Sequence, residues 1–225
     1  MKERIRIQGM LIFLATLLAI LLSKNIYPSW EKEPLDEFLD MLGLVMVLFG
    51  FLFRIAARGY KEDKSCASKS LVKDGPYGLV RNPMYFGTFM IGTGIIFILF
   101  AFWVFPLFMI IFLALYIPQI KKEEKELFKR FGEGYKDYCK ITPKYFPRIQ
   151  DFLNIRNYIS LRLSWIKKEL VSVILVIVIV FAIEVWKDVR LFGFKEFLKE
   201  PFELLLIILS FIILVTLFIK KEDYP

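Results

Sequence analysis

Histidine is absent from all 225 residues. Its absence removes the commonest general base near neutral pH and the commonest metal ligand. Hydrolase triads built on histidine and histidine-based metal centres are therefore excluded, and no metal site is expected. Cysteine is nearly as rare. Cys66 and Cys139 are the two in the chain, and both fall in segments read below as cytoplasmic, where a disulfide does not persist. They read as incidental thiols. Aromatic–basic repeats and zinc-ligand spacings are missing as well, so the net charge of +8 does not point to nucleic acid. Charge itself is missing from Pro83 to Pro118, a run of 36 residues.

What is present in excess is apolar. The chain is 57% hydrophobic with 24 Phe, and its charges fall between long apolar runs rather than among them. A charge at mid-bilayer costs roughly 2.5–3.5 kcal/mol on insertion scales, so an uncharged run of this length has physical content. It is too long for one span of about 20 residues and suits two short ones. The reading is an all-α polytopic membrane protein with about six transmembrane helices. The spans fall near Ile7–Leu22, Met41–Ala57, a hairpin within Pro83–Pro118 turning near Ala101–Pro106, Leu170–Val185 and Phe202–Ile219.

Ile7–Leu22 is read as a retained span rather than a signal peptide, because Ser23-Lys24-Asn25-Ile26 offers no small-x-small cleavage site. Tyr27 and Trp30 suit an interface. Thirteen Lys and Arg lie between Gln119 and Glu169, against two in the loop before the second span. The positive-inside rule then puts the basic loops, and the site below, on the cytoplasmic side of a prokaryotic cell membrane. The organisation divides as a two-span region 1–57, a core 58–148, an interfacial amphipathic helix 149–169 and a two-span region 170–225.

Two polar clusters stand at the two feet of the expected hairpin. Entering it is Gly75-Pro76-Tyr77-Gly78-Leu79-Val80-Arg81-Asn82-Pro83-Met84-Tyr85-Phe86-Gly87. Asn is a favoured N-cap and Pro suits the first helical position. Arg81 beside a helix N-terminus suits an anionic group. Leaving the hairpin are Gln119 and the pair Glu123-Glu124, at the start of a charged helix over Lys121–Lys140 with Leu127, Phe128, Phe131, Tyr135 and Tyr138 along one face. A hairpin returns the chain to the face it left, so the two clusters are expected near each other. Together they would complement both charges of a small zwitterion.

The order Gly75-Pro76-Tyr77, Arg81-Asn82-Pro83-x-Tyr85-x-Gly87, uncharged hairpin, Glu123-Glu124-x-x-Leu127, Phe131-Gly132-x-x-Tyr135-x-x-Tyr138 resembles the isoprenylcysteine carboxyl methyltransferase family. The related phospholipid N-methyltransferases share it. The resemblance covers about Lys69 to Pro147. It implies an integral-membrane enzyme that takes S-adenosyl-L-methionine from the cytoplasm and a lipophilic acceptor from the bilayer. Cofactor-binding positions carried over are Lys69, Ser70, Leu71, Val72, Tyr77, Arg81, Asn82, Pro83, Tyr85 and Glu123. The catalytic candidates are Asn82, Tyr85, Glu123 and Glu124.

Two departures from the family pattern bear on chemistry. Its usual histidine is Asn82 here, which can bind but cannot titrate. An arginine four residues before the first glutamate is Gln119 here, the position expected to meet the acceptor. The implied acceptor is a prenylcysteine-like carboxylate or thiol, or a phospholipid amine; an amine or hydroxyl would need Glu123 or Glu124 to take its proton. An acceptor that is already anionic is favoured, since no histidine is at hand. Tyr77 and Tyr85 could offer ring faces to a sulfonium. Membrane sterol or lipid reductases that use NADPH share the general plan, and a non-catalytic scaffold or transporter is the third reading.

Overall fold

The structure is a computed structural model that describes residues 34–67, 70–192 and 200–219. An apolar chain in lipid satisfies its backbone N–H and C=O groups only within a helix or a closed barrel. Among the described residues every long apolar run is helical, as expected. The elements in order are α1 (Pro34–Ala67), α2 (Pro76–Leu79), α3 (Pro83–Leu99), α4 (Val104–Phe131), α5 (Glu133–Ile141), α6 (Ile149–Leu153), α7 (Leu163–Phe192) and α8 (Glu200–Phe218). One isolated parallel bridge joins Leu161 to Ile219.

Among the described residues two helices are long and apolar enough to cross a membrane, Phe38–Lys64 within α1 and Val104–Phe131. Pro83–Leu99 and Ile207–Phe218 are shorter apolar helices. The expected first span, with Tyr27 and Trp30, lies outside the described residues, as do Lys69 and Lys220-Lys221. The expected fifth and sixth spans fall within α7 and α8.

The expected hairpin is present as α3 and α4, with Phe100 to Trp103 between them. α4 has 28 residues, or about 42 Å at 1.5 Å per residue, longer than the ~30 Å hydrocarbon core. Its last turns therefore stand beyond the apolar layer and carry Gln119, Glu123 and Glu124 with them. Pro118 lies inside this helix without ending it, although it deprives the Ala114 carbonyl of a helical donor.

Two expectations about helix limits need correction. The charged helix read over Lys121–Lys140 is two helices, because Gly132 takes φ +54° and its N–H closes α4 on the Phe128 carbonyl at 2.9 Å. The Tyr135 and Tyr138 end of its apolar face is buried, whereas Phe128 is about half exposed. The segment 149–169, read as one amphipathic helix, is α6, a 3-10 turn at Ile155–Asn157, an extended link and the start of α7. In that link Ile159 and Leu161 are fully buried in the main core, so they hold the chain down rather than facing lipid.

The core begins where α1 and α3 touch. A Cβ on Gly43 would lie 2.7 Å from the Gly94 carbonyl oxygen, and one on Gly94 would lie 2.4 Å from that of Gly43. The second pair repeats this two turns along: Gly50 would meet the Gly87 oxygen at 2.7 Å, and Gly87 the Gly50 oxygen at 2.6 Å. The helices run antiparallel and backbone to backbone. This is the packing that small residues permit where lipid supplies no hydrophobic drive between helices.

Charge inside this assembly is concentrated at one end. Arg54 falls within the apolar run read as the second span, yet its Nη1 donates to Thr88 Oγ1 on α3 at 3.1 Å. Its Nη2 lies 3.6 Å from Glu169 on α7. Arg58 Nη1 also donates to Glu169, which is 1% exposed. One carboxylate thus bridges two guanidinium groups and draws α7 onto α1. Trp165, one turn earlier on α7, fills the space over Gly59 and donates Nε1–H to Asp63 at 3.1 Å.

Gly87→Val should lower stability by at least about 1–3 kcal/mol, because a backbone carbonyl cannot yield to the added side chain. Gly134→Ala, where nothing lies within 4 Å, should be neutral or stabilising by up to about 1 kcal/mol. Thermal unfolding in detergent reads both, and equal behaviour would contradict the packing. Glu169→Gln should cost roughly 1.5–3 kcal/mol in the same assay, the scale of weakening hydrogen bonds to a charged group, since Arg58 keeps its pair with Glu62.

Candidate functional site at the foot of the hairpin

Two chain segments meet at the charged end, the turn leading into α3 and the last turns of α4. Gly75 adopts φ +59° with Tyr60 packed against it, which turns the chain into α2. A side chain at this φ would be strained. Ser70, Leu71 and Val72 form the link into that turn, Ser70 exposed and the other two half-buried. Tyr138 Oη donates to the Tyr77 carbonyl at 2.7 Å and so ties α2 to α5. Burial pushes the Tyr138 hydroxyl far above the usual phenol range, with the neighbouring Tyr77 and Tyr135 adding to it. It therefore remains a donor throughout the physiological range.

Asn82 occupies the cap position of α3, as expected, but its amide does not cap the helix. Its Nδ2 donates to the Lys144 carbonyl at 3.0 Å. Its own carbonyl accepts from the N–H groups of Tyr85 and Phe86, at 3.1 and 3.0 Å. Pro83 and Tyr85 are buried. Tyr85 Oη reaches across to α4 and donates to Glu123 Oε1 at 2.7 Å, and Gln119 Nε2 donates to the same oxygen at 3.1 Å. These three expected residues form one patch, a carboxylate held by two neutral donors. Its wall is aromatic: Tyr116 packs edge-on to Tyr85 at 5.3 Å and lies 4.3 Å from Phe112.

Arg81 belongs to a second, adjoining cluster. Its Nη1 is 3.3 Å from Glu124 Oε1 and 2.7 Å from Cys139 Sγ. Its backbone N–H donates to the Pro143 carbonyl at 2.8 Å. Lys144 Nζ takes the other oxygen of Glu124. Glu124 is thus clamped between two cations, and Tyr85 and Gln119 both donate to Glu123. Cys139, read as incidental, sits on the Arg81 guanidinium. The Tyr135 hydroxyl, raised chiefly by burial and then by Glu124 and Cys139, belongs to the same cluster.

Sequence reasoning missed Lys144 and Arg54. Lys144 lies in a loop between short helices, with no pattern to mark it. Arg54 was legible as a lone charge in an apolar run, which by itself calls for a buried partner.

Lys144 offers a pH test. Burial works against its ammonium, but the hydrogen bond and charge attraction to Glu124 prevail and raise its pKa. A lysine raised on folding contributes stability that is full below the usual lysine range and lost as pH climbs through the raised value. The protection factor of the Thr142 amide, with the base-catalysed intrinsic rate divided out, should therefore hold up to strongly alkaline pH. In Glu124→Gln it should be lower already at neutral pH. Identical pH profiles would remove the bridge from the account.

With this geometry in hand, likenesses to known proteins can be set beside it. Residues 39–134 match the family model described as phospholipid methyltransferase. The chain is 29% identical over 140 residues to protein-S-isoprenylcysteine O-methyltransferase of Xenopus laevis, covering 56% of this chain and 46% of that one. It is 25% identical over 133 residues to the nickel-cobalt-cadmium resistance protein NccN of Alcaligenes xylosoxydans xylosoxydans, covering 59% and 61%. The matched region spans about half the length of these relatives. No solved structure matches. The matched segment contains the α1–α3 contact, the hairpin and both glutamates, and over that segment the chain is similar to membrane methyltransferases.

Proposed function

We propose that the protein transfers a methyl group from S-adenosyl-L-methionine to a lipophilic acceptor at the cytoplasmic face of the membrane. The observation that carries this reading is the patch Tyr85–Glu123–Gln119 at the foot of an uncharged hairpin. Both relatives with a stated chemistry, the phospholipid methyltransferase family and the isoprenylcysteine O-methyltransferase, move methyl groups.

The residues present fit such a cofactor. The Glu123 carboxylate, beside the paired rings of Tyr85 and Tyr116, suits a positively charged centre. When bound, the cofactor supplies a methyl group already activated by a sulfonium, so much of the catalysis can come from placement. Effective molarities correspond to roughly 7–11 kcal/mol at best. Tyr85 and Gln119 fix the Glu123 carboxylate, and Asn82 anchors the turn to the Lys144 carbonyl. Glu124, clamped by Arg81 and Lys144, acts as a positioning group rather than as a base.

The acceptor's polar end would meet Gln119 and Glu123, and its tail would lie along Phe89, Phe108 and Phe112, which pack between α3 and α4. A phospholipid amine fits this patch better than a carboxylate does, because Glu123 can accept its proton and would repel an anion. That reverses the preference drawn from the sequence, which rested on the missing histidine.

Calorimetry on detergent-purified protein should show binding of S-adenosyl-L-methionine or its demethylated product, and none of NADPH. Folded protein that binds neither methyl-cofactor form would overturn the reading. Glu123→Gln and Asn82→Ala should each weaken binding about tenfold or more, the scale of losing a hydrogen bond to a charged group. Radiolabelled cofactor incubated with lipid extract should label a phospholipid; label in a prenylated thiol or carboxylate would shift the acceptor, not the reaction.

A further inference from the structure

Between the end of α5 and the start of the 3-10 turn, the chain turns large apolar side chains outward. Ile141 is 70% exposed, Phe146 57%, Ile149 81% and Leu153 80%. Contiguous apolar exposure of this kind marks a surface that water does not cover. Lys140 pairs with Asp137 and Lys144 with Glu124, and the same stretch and its flank add Arg148 and Arg156 against the single acid Asp151.

Ring contacts set the depth of the segment. Phe146 meets Phe86 and Phe89 edge-on, at 6.0 and 5.7 Å, on the first two turns of α3. Phe152 lies 6.4 Å from Phe49 on α1. Phe49, Phe86 and Phe89 belong to the apolar stretches of the bilayer helices, just inside the level of Arg54 and Arg81. The segment thus lies along the bundle at the boundary between apolar and charged layers. An apolar face flanked by basic residues at that depth is the chemistry of an in-plane anchor on anionic lipid.

From this we infer that residues 141–153 form a strap seated in the headgroup–acyl boundary of an anionic leaflet, and that the lipid surface is its partner. The strap also holds the site. Its Pro143 and Lys144 carbonyls accept from Arg81 and Asn82, and Lys144 Nζ pairs with Glu124. Seating in lipid therefore bears directly on the corner where α3 begins. The inference stands apart from methyl transfer, since exposure, ring contacts and charge carry it.

The full chain carrying Ile149→Cys, spin-labelled in nanodiscs of phosphatidylcholine with or without phosphatidylglycerol, tests it. Labelling of the unaltered chain gives the background from Cys66 and Cys139. In anionic nanodiscs the label should collide more with oxygen than with a water-soluble nickel chelate. Arg148→Gln should lower the seated fraction roughly fivefold, the factor for one basic side chain at an anionic surface. Arg148→Lys should restore it, and the loss in Arg148→Gln should vanish in nanodiscs of phosphatidylcholine alone, where a purely structural role through the Ile141 carbonyl would keep it. A label reached equally by the chelate faces water and overturns the inference. A label shielded from both reagents is covered by protein and overturns it too. Seating that ignores lipid charge and Arg148→Gln overturns the anionic partner.

Discussion

The close contact of α1 with α3 is the constraint on which the rest depends. Two glycine pairs seven residues apart let the backbones approach until carbonyl oxygens lie where side chains would otherwise be. With both pairs in register, α3 has little freedom to slide or rotate. Thr88 then faces Arg54, while Tyr85 looks to the opposite side and reaches Glu123 on α4. A shift of one residue along α3 would rotate both away. The foot of the hairpin is positioned by a glycine-lined surface, closed at one end by the Arg54–Thr88 hydrogen bond.

Charge is distributed by the same logic. At the foot of the hairpin the ionic groups pair across chain segments: Arg54 with Thr88 and Glu169, Arg81 with Glu124, Glu124 with Lys144. Desolvation there is partial, and the Coulomb attraction of well-placed pairs offsets it. The other end of the hairpin, Phe100 to Trp103, is aromatic and uncharged. That polarity gives the molecule a wet, adhesive end and a dry one. Glu123 lies beside these pairs and accepts from Tyr85 and Gln119.

The hairpin was legible in the sequence because its signal is an absence: no charge from Pro83 to Pro118 and turn residues near the middle. The meeting of Tyr85 with Glu123 followed from topology alone. Other features resisted for identifiable reasons. The glycines at 43, 50, 87 and 94 are ordinary in apolar helices until one knows which helices pair. The bridge from Lys144 to Glu124 joins a loop to a helix 20 residues away, and no periodicity encodes such a contact. The Asn82 amide was expected to cap and instead serves the Lys144 carbonyl, because tertiary contact outweighed the local preference. The break at Gly132 did have a signal, since glycine just after Lys129-Arg130 is a common helix end. The run of buried tyrosines beyond it masked that signal.

The charge-free hairpin has a consequence for biogenesis. Carrying an elementary charge through a membrane potential involves about 2.3 kcal/mol per 100 mV. Between Pro83 and Pro118 there is no such charge to carry. α3 and α4 can enter the bilayer together from one side, with an apolar turn leading. The electrical state of the membrane does no work on that step. Assembly of the foot of the hairpin is thus uncoupled from cellular energisation, in contrast to any span whose far loop bears lysine or arginine.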